Sequence, residues 1–275
     1  MRWPCTDLAC ERRRANTDIP GITYLQKKYG GFDYEELLVT SEEGAEQIGK
    51  PRGKYLTVNF PDPETLSAEE EQRLSCAVGE LLKTLLPRER HTKLLVLGLG
   101  NRELTADAIG CETAERIHAT RFLAREDPAL FKKLRCAEIS TLCPGIASNS
   151  GMEAATVAAA CVREIRPSAM LVIDALVSTS HLRLLRTVQM CDTGIVPGSG
   201  LRNHRSAIDE STMGIPVIAI GVPTVIDAAT LCEERSIGIA PGELFVTSKD
   251  CDIVIKSVSK ILADAVNLIY GISFA

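Results

Sequence analysis

The segment LLVLGLGN, Leu94–Asn101, gives the clearest indication of the fold. Its first four residues form an unbroken apolar run, which is typical of a parallel strand with both faces covered. The two glycines after it predict a tight turn, and Thr105 is placed to cap a helix through about His118. The stretch therefore predicts a strand, a turn and a helix, the repeating unit of an α/β sheet.

The residues beyond this unit repeat the same rhythm. Further strands are predicted at Ile139–Leu142, Met170–Ile173, Thr187–Met190 and Ile215–Ile220. Helices are predicted at about Met152–Ile165, in a short segment through Ala229 and at about Lys249–Ile269. This alternation predicts a mainly parallel sheet with right-handed crossovers and helices on both faces.

The first ninety residues are more polar. Short strands are predicted at Leu37–Val39 and Tyr55–Phe60, and Ser67 with Glu70 forms a capping-box pattern that opens a helix to about Leu85. We expect a single α/β domain over 1–275, in which 1–90 supply strands and a helix that pack on a sheet core formed by 91–275.

Composition excludes several classes of function. Of 275 residues, 45% are hydrophobic and 24% charged, as in an ordinary soluble globular protein. A net charge of −5 and an aromatic content of 4% argue against a direct nucleic-acid partner. No apolar run approaches the roughly 18 residues of a membrane helix, and the start lacks a signal-peptide core. We therefore expect a cytoplasmic protein with no membrane partner.

The ten cysteines include no CxxC pair, and the four histidines are scattered. Metal sites need closely spaced ligands, so we expect reduced thiols, no metal and no cofactor. Cys143 follows a predicted strand and could present a nucleophile, but no histidine is placed beside it by the sequence.

Two aspartates are the main candidates for catalysis. Asp174 directly follows the apolar run at 170–173, and Asp107 follows the glycine turn. Each has a structural alternative, since Asp174 could cap the next segment and Asp107 could interact with a helix dipole. Both are expected at the carboxyl edge of the sheet, where ligands bind in α/β folds.

If the two strands are neighbours, these carboxyl groups could share one proton. The charge on one group would then keep the other protonated, which gives an acid and a base from two identical side chains. Such a pair could activate water against a peptide carbonyl and protonate the leaving amine. The helix should keep Asp107 the more readily ionised of the two.

Four further residues are expected to contact substrate. Gly98 and Gly100 would let the backbone approach closely, Asn101 would supply hydrogen bonds, and Asp192 lies beside the glycine-rich run at 194–200. The alternatives are a phosphate-binding loop at 98–101, which lacks the usual glycine spacing, and an Asx turn at Asp192.

Several segments together resemble the germination protease family, the endopeptidases that degrade small acid-soluble spore proteins. They are Thr6–Ala9, Gly44–Val58, Gly98–Gly110, Cys143–Val157, Val172–Leu176 and Gln189–Leu231. They occur in order over nearly the whole chain. The most specific is the block DTGIVPGSG with GIPVIAIGVPTV after it.

The resemblance implies an atypical aspartic endopeptidase whose essential aspartates match Asp107 and Asp174. It implies a phosphorylase/hydrolase-like fold shared with hydrogenase-maturation endopeptidases, a homotetramer, a self-cleaving zymogen and action in the forespore or spore core. Few residues precede Thr6–Ala9, so we expect the propeptide to be absent or very short. Ala106, where the family often has proline, and Cys143, where it has a small residue, are further departures.

Cleavage after glutamate in an acidic-aromatic site, also implied by the resemblance, would require a basic pocket. Arg102, Arg121, Arg202 and Arg205 could supply it, and each is equally plausible as a solvated surface charge. Three alternative functions stay open: a hydrogenase-maturation-like peptidase that reads nickel, an inactive peptide-binding homologue and a nucleotide-binding module.

Overall fold

In the computed structural model, the described residues are 6–13, 19–86, 93–199, 205–232, 239–240 and 242–270. Within them, nine strands form one sheet in the order β1-β2-β3-β7-β8-β6-β4-β5, with β9 paired to β8. The strands are β1 (Ile22–Tyr29), β2 (Phe32–Val39), β3 (Gly53–Asn59), β4 (Lys93–Gly98), β5 (Glu138–Leu142), β6 (Ala169–Ser178), β7 (Thr187–Cys191), β8 (Val217–Asp227) and β9 (Phe245–Val246).

The helices of the described residues cover the sheet and its edges. They are α1 (Ala9–Arg12), α2 (Glu42–Ile48), α3 (Ala68–Lys83), α4 (Ile109–Arg116), α5 (Arg121–Glu126), α6 (Pro128–Leu134), α7 (Ala147–Ser150), α8 (Ala154–Ile165), α9 (Glu210–Met213), α10 (Ala228–Cys232) and α11 (Cys251–Ile269). Short 3₁₀ turns occupy Pro63–Thr65 and Thr105–Asp107.

The predicted α/β fold is confirmed, and the sheet is mixed. Strands β8, β6, β4 and β5 are parallel neighbours, whereas β1, β2, β3 and β7 add antiparallel pairs on one side. Because β3 pairs directly with β7, the amino-terminal strands extend the same sheet. The single domain, with 1–90 packed on 91–275, stays a prediction.

Side chains of the apolar strands alternate between the two faces of the sheet, which explains why helices cover both faces. In β4, Leu94 and Val96 are buried in the cluster that contains α3, α4 and α11, while Leu95 and Leu97 are buried against the face covered by α8. Successive side chains of a strand point to opposite faces, so a continuous apolar run requires helices on both. No described helix combines the length and apolarity that crossing a membrane requires.

Local signals located several elements well. Ser67 and Glu70 form the predicted capping box at the start of α3, which ends at Lys83. The prediction at Thr105 is wrong in detail, since this residue opens a 3₁₀ turn without a side-chain cap and α4 begins only at Ile109. Strand β1 lies at the sheet edge and was not predicted, because most of its residues are polar or partly exposed.

The predicted end of β6 requires a correction. Asp174 does not follow the strand but lies inside it, because β6 and β8 stay paired as far as Ser178 and Ile226. On the other side, β4 ends at Gly98, which is level with Ile173. The sheet edge therefore opens beside Asp174 because its neighbour stops and not because its own strand does.

Candidate active site

A cavity of about 320 Å³ lies where β4 ends beside β6. Asp107 and Asp174 both line it, as the sequence predicted for a shared edge. The other lining residues that bear on the chemistry are Asp7, Gly100 and Arg205. With Glu153, four residues that bear carboxyl groups and one arginine therefore line the same cavity.

Asp107 is held by the glycine turn after β4. Gly100 has a φ of +107°, and a Cβ atom there would lie 1.9 Å from the carbonyl oxygen of Asp107. The N–H of Asn101 donates a hydrogen bond of 2.7 Å to Oδ2 of Asp107. From the opposite side, the Thr224 hydroxyl donates to the carbonyl oxygen of Ala106 at 2.6 Å. The turn is thus fixed between β4 and β8.

Asp174 is fixed by the sheet itself. This residue is only 6% exposed, and its Oδ1 accepts a hydrogen bond of 2.9 Å from the N–H of Ala175. Burial raises the pKa of Asp174 well above its ordinary value, and the negative charges of Asp107 and Asp7 raise this pKa further. The hydrogen bond from Ala175 and the charge of Arg205 oppose that shift.

The pKa of Asp107 is also raised by burial, although the Asn101 hydrogen bond and Arg205 lower it in part. The Asn101 N–H donates to the charged form of Asp107, whereas Asp174 is surrounded by like charge. The pKa of Asp174 is thus raised more strongly than that of Asp107. This asymmetry suits a general base and a general acid in one site.

Asp7 is a third carboxylate that sequence reasoning did not select. Its Oδ2 accepts from the N–H of Val177 at 2.9 Å, and its Oδ1 accepts from the hydroxyl of Ser199 at 2.8 Å. Its own N–H donates to the carbonyl oxygen of Val177 at 2.9 Å. The Thr6–Ala9 segment of the family resemblance could have pointed to Asp7. No local sequence pattern, however, places residue 7 beside residue 174.

The four predicted substrate contacts lie in different places. Gly100 lines the cavity, and Asn101 acts on Asp107 through its backbone. Gly98 packs beneath α4, where a Cβ atom would lie 2.4 Å from the carbonyl oxygen of Gly110. Asp192 is not brought to this cavity, and its Oδ1 instead accepts from the N–H of Lys54 on β3 at 2.8 Å.

The four candidate arginines also lie in different parts of the molecule. Arg205 lines the cavity and lies close enough to lower the pKa of both Asp107 and Asp174. Arg102 pairs with Glu115, and Arg121 lies 3.3 Å from Glu138, so both are engaged elsewhere. Arg202 lies outside the described residues.

Cys143 does not line the cavity. Its thiol is 3.8 Å from the carbonyl oxygen of Cys111, and a hydrogen bond with the Cys111 thiol lowers the pKa of Cys143. The structure therefore does not bring this cysteine together with the aspartates. Among the described residues, no three His, Cys, Asp or Glu side chains are grouped as a metal site.

Comparison with known proteins identifies the family of this chain. The sequence model of the germination protease family matches residues 5–240. The germination protease of Clostridium perfringens is 33% identical over 309 aligned residues, which cover 96% of this chain and 94% of that protein. That of Caldanaerobacter subterraneus is 34% identical over 231 residues, covering 83% of this chain and 71% of that protein.

The germination protease of Bacillus subtilis is 32% identical over 240 residues, covering 83% of this chain and 65% of that protein. Among solved structures, the NiFe hydrogenase maturation protease of Thermococcus kodakarensis aligns with a TM-score of 0.36 and 15% identity, over 68% of this chain and 99% of that one. The predicted family resemblance is confirmed by the family match and the relatives. The chain belongs to the germination protease family.

Proposed function

We propose that this chain is a spore-germination endopeptidase that hydrolyses small acid-soluble spore proteins with the Asp107/Asp174 pair. The observation that carries the mechanism is the meeting of two carboxyl groups with different environments in one cavity. Membership of a protease family supports the hydrolase class. The substrate is taken from the family resemblance.

The reaction uses the two aspartates in opposite protonation states. Ionised Asp107 accepts a proton from a water molecule, whose oxygen then attacks the carbonyl carbon of the substrate peptide bond. Protonated Asp174 gives its proton to the nitrogen of the leaving amine as the C–N bond breaks. One water is consumed, and the proton taken up by Asp107 restores the pair when it passes to Asp174.

The cavity supports this assignment in two further ways. The buried Leu99 and Leu176 contribute apolar walls to the cavity, and apolar surroundings strengthen the field between the carboxyl groups. Arg205 faces the same space and is the best placed of the candidate arginines to bind an acidic group of the substrate. The acidic-substrate assignment is part of the proposal.

The direct test is incubation of the purified chain with a small acid-soluble spore protein and mass spectrometry of the products. We expect a few defined fragments, with cleavage abolished by Asp107→Asn and by Asp174→Asn. Intact substrate that co-elutes with the chain would instead favour a peptide-binding protein. Loss of cleavage on chelation, with nickel found in the purified chain, would favour the hydrogenase-maturation-like alternative.

The family resemblance also supports a homotetramer, zymogen control and action in the spore core. A homotetramer predicts a mass in sedimentation equilibrium of four chains. Zymogen control predicts a time-dependent loss of amino-terminal residues that Asp174→Asn prevents. Fluorescence of a tagged chain in sporulating cells would test its location.

A further inference from the structure

Strand β8 contains an irregularity beside the aspartate cavity. Its parallel pairing with β6 is regular as far as Leu176 and Pro223, and it resumes with Val177 opposite Val225. Thr224 is therefore the extra residue of a β-bulge. Bulges are rare between parallel strands, and they are over-represented next to active sites, where they re-aim a side chain.

The bulge directs the Thr224 side chain to the loop that carries Asp107. Thr224 is fully buried and lines the aspartate cavity, and its hydroxyl donates a hydrogen bond of 2.6 Å to the carbonyl oxygen of Ala106. In addition, the Thr247 hydroxyl donates to the carbonyl oxygen of Thr224 at 2.6 Å. The bulge is thus tied both to the Asp107 loop and to the segment after β9.

The bond from Thr224 spans the strand that carries Asp174. In the sheet, β6 lies between β4 and β8. The Asp107 loop, residues 99–108, leaves the end of β4, and its Ala106 carbonyl is bound by a residue of β8. The loop must therefore cross over β6, and this crossing brings Asp107 to the cavity that Asp174 lines.

The hydrogen bonds inside the loop differ in kind from this one. The N–H of Asn101 donates to the Asp107 carboxylate, and the N–H of Asp107 donates to the carbonyl oxygen of Leu104. These bonds join residues of the loop to one another and so fix its shape. The N–H of Leu99 bonds to β6 where the loop begins. Thr224 adds a bond to a second strand at the far end, and such a bond also fixes the position of the loop.

The position of Asp107 matters because the two carboxyl groups of the pair act on each other. The negative charges of Asp107 and Asp7 raise the pKa of Asp174, whereas Arg205 lowers it. Glu153 also lines the cavity, but its carboxylate accepts a hydrogen bond from a serine hydroxyl at 2.6 Å. A loop that retreated from β8 would carry Asp107 away from Asp174 and weaken their interaction.

We propose that Thr224 is a positioning residue of the aspartate pair: its hydroxyl, aimed by the bulge in β8, holds the Asp107 loop across β6 and so keeps Asp107 close to Asp174. The inference rests on the proposed function and adds to it a residue that acts through the loop. The role requires the hydroxyl and not the methyl group of Thr224, because the hydroxyl is the donor to the Ala106 carbonyl.

The test compares three variants of Thr224 on one peptide. The cut in a small acid-soluble spore protein is first mapped by mass spectrometry, and a peptide spanning it is synthesised. Thr224→Val keeps the shape of the side chain and removes the donor, so we expect kcat to fall about 10- to 100-fold with KM little changed. Thr224→Ala should show a similar loss. Thr224→Ser keeps the donor and should retain most of the activity.

The pH profile of kcat/KM separates positioning from a loss of stability. In Thr224→Val and Thr224→Ala, the alkaline limb should move to lower pH, because the charge that raises the pKa of Asp174 lies farther away. Thr187→Val is the matched control, since Thr187 is also fully buried and its hydroxyl donates to Oδ1 of Asn59 at 2.7 Å, outside the cavity. This control should lose stability but keep its kcat and its alkaline limb.

Two results would overturn the inference. One is a Thr224→Val chain, folded by circular dichroism, that keeps the kcat and the alkaline limb of the unchanged chain. The other is an equal loss in Thr224→Ser and Thr224→Ala, a comparison that also decides the question if Thr224→Val does not fold. Either result leaves the proposed function standing, because the unchanged chain still cleaves. If the unchanged chain cleaves no peptide and no spore protein, the proposed function itself fails.

Discussion

The backbone N–H of Asn101 donates a hydrogen bond of 2.7 Å to Oδ2 of Asp107, six residues later in the chain. The bond closes the glycine turn onto the carboxylate and favours its charged form. Asp174 receives only the N–H of its own neighbour, Ala175, among the described residues, and is buried beside negative charge. In the proposed mechanism, this local hydrogen bond favours Asp107 as the base.

Replacement of either aspartate by asparagine should remove catalysis without unfolding the chain. We expect kcat/KM on a mapped spore-protein peptide to fall by at least about 1,000-fold for Asp107→Asn and for Asp174→Asn. Asp264→Asn, on the exposed side of α11, is the control and should leave the rate unchanged. Cleavage within about tenfold of normal by either variant would remove the proposed mechanism.

The pH dependence of activity should report the charge of Asp7. In the proposed mechanism, kcat/KM falls at low pH as Asp107 is protonated and at high pH as Asp174 loses its proton. The negative charge of Asp7 raises the pKa of Asp174, so Asp7→Asn should lower that pKa. The alkaline limb of the profile should therefore move to lower pH.

The measurement is kcat/KM across the pH range for the unchanged chain, for Asp7→Asn and for the Asp264→Asn control. An alkaline limb that stays in place, or moves upward, in Asp7→Asn would show that Asp7 does not act on Asp174 electrostatically. The acid limb serves as an internal reference for general loss of activity.

The raised pKa of Asp174 should also affect how protein stability depends on pH. The folded pKa of Asp174 lies above its unfolded value, so the folded state binds more protons. This contribution is fully present below the unfolded pKa and is lost as the pH rises through the folded pKa. The unchanged chain should therefore lose free energy of unfolding from this group between a pH below the ordinary pKa of an aspartate and a pH above the raised one.

Asp174→Asn carries no such charge and should lose less stability over the same interval. Urea denaturation at both pH values measures the difference, with Asp264→Asn as the reference. Equal pH dependence in Asp174→Asn and the unchanged chain would contradict the raised pKa of Asp174.

We expect Gly100→Ala to lower activity by more than the strain of its backbone conformation would explain. Gly100→Ala places a Cβ atom 1.9 Å from the Asp107 carbonyl oxygen, so the turn that carries the base must move. Gly31→Ala is the matched control, since Gly31 also has a positive φ but a Cβ atom there would meet nothing within 4 Å. Both variants should lose roughly 1–3 kcal/mol of stability from backbone strain.

We expect kcat/KM to fall about 100-fold or more in Gly100→Ala, because small displacements of a catalytic group are costly. Gly31→Ala should retain nearly normal activity. Thermal unfolding and peptide cleavage of both variants separate the two effects. Equal activity of the two variants would show that the turn geometry does not control Asp107.

Elements that depend only on neighbouring residues could be predicted from the sequence. The apolar run at 94–97 specifies a buried strand, and Ser67 with Glu70 specifies a helix start, because side-chain alternation and capping are local effects. It also selected Asp174, which directly follows the apolar run at 170–173, and Asp107, which follows the glycine turn after the run at 94–97.

How these parts meet depends on long-range contacts, which the sequence pattern does not reveal. The length of β6 is set by its pairing with β8, and the opening beside Asp174 exists because β4 stops. Asp7 comes from a distant part of the chain, and no periodicity or spacing relates it to residue 174. The proton assignment depends on burial and on charges across the cavity, which act through space, and the order of residues along the chain does not encode those distances directly.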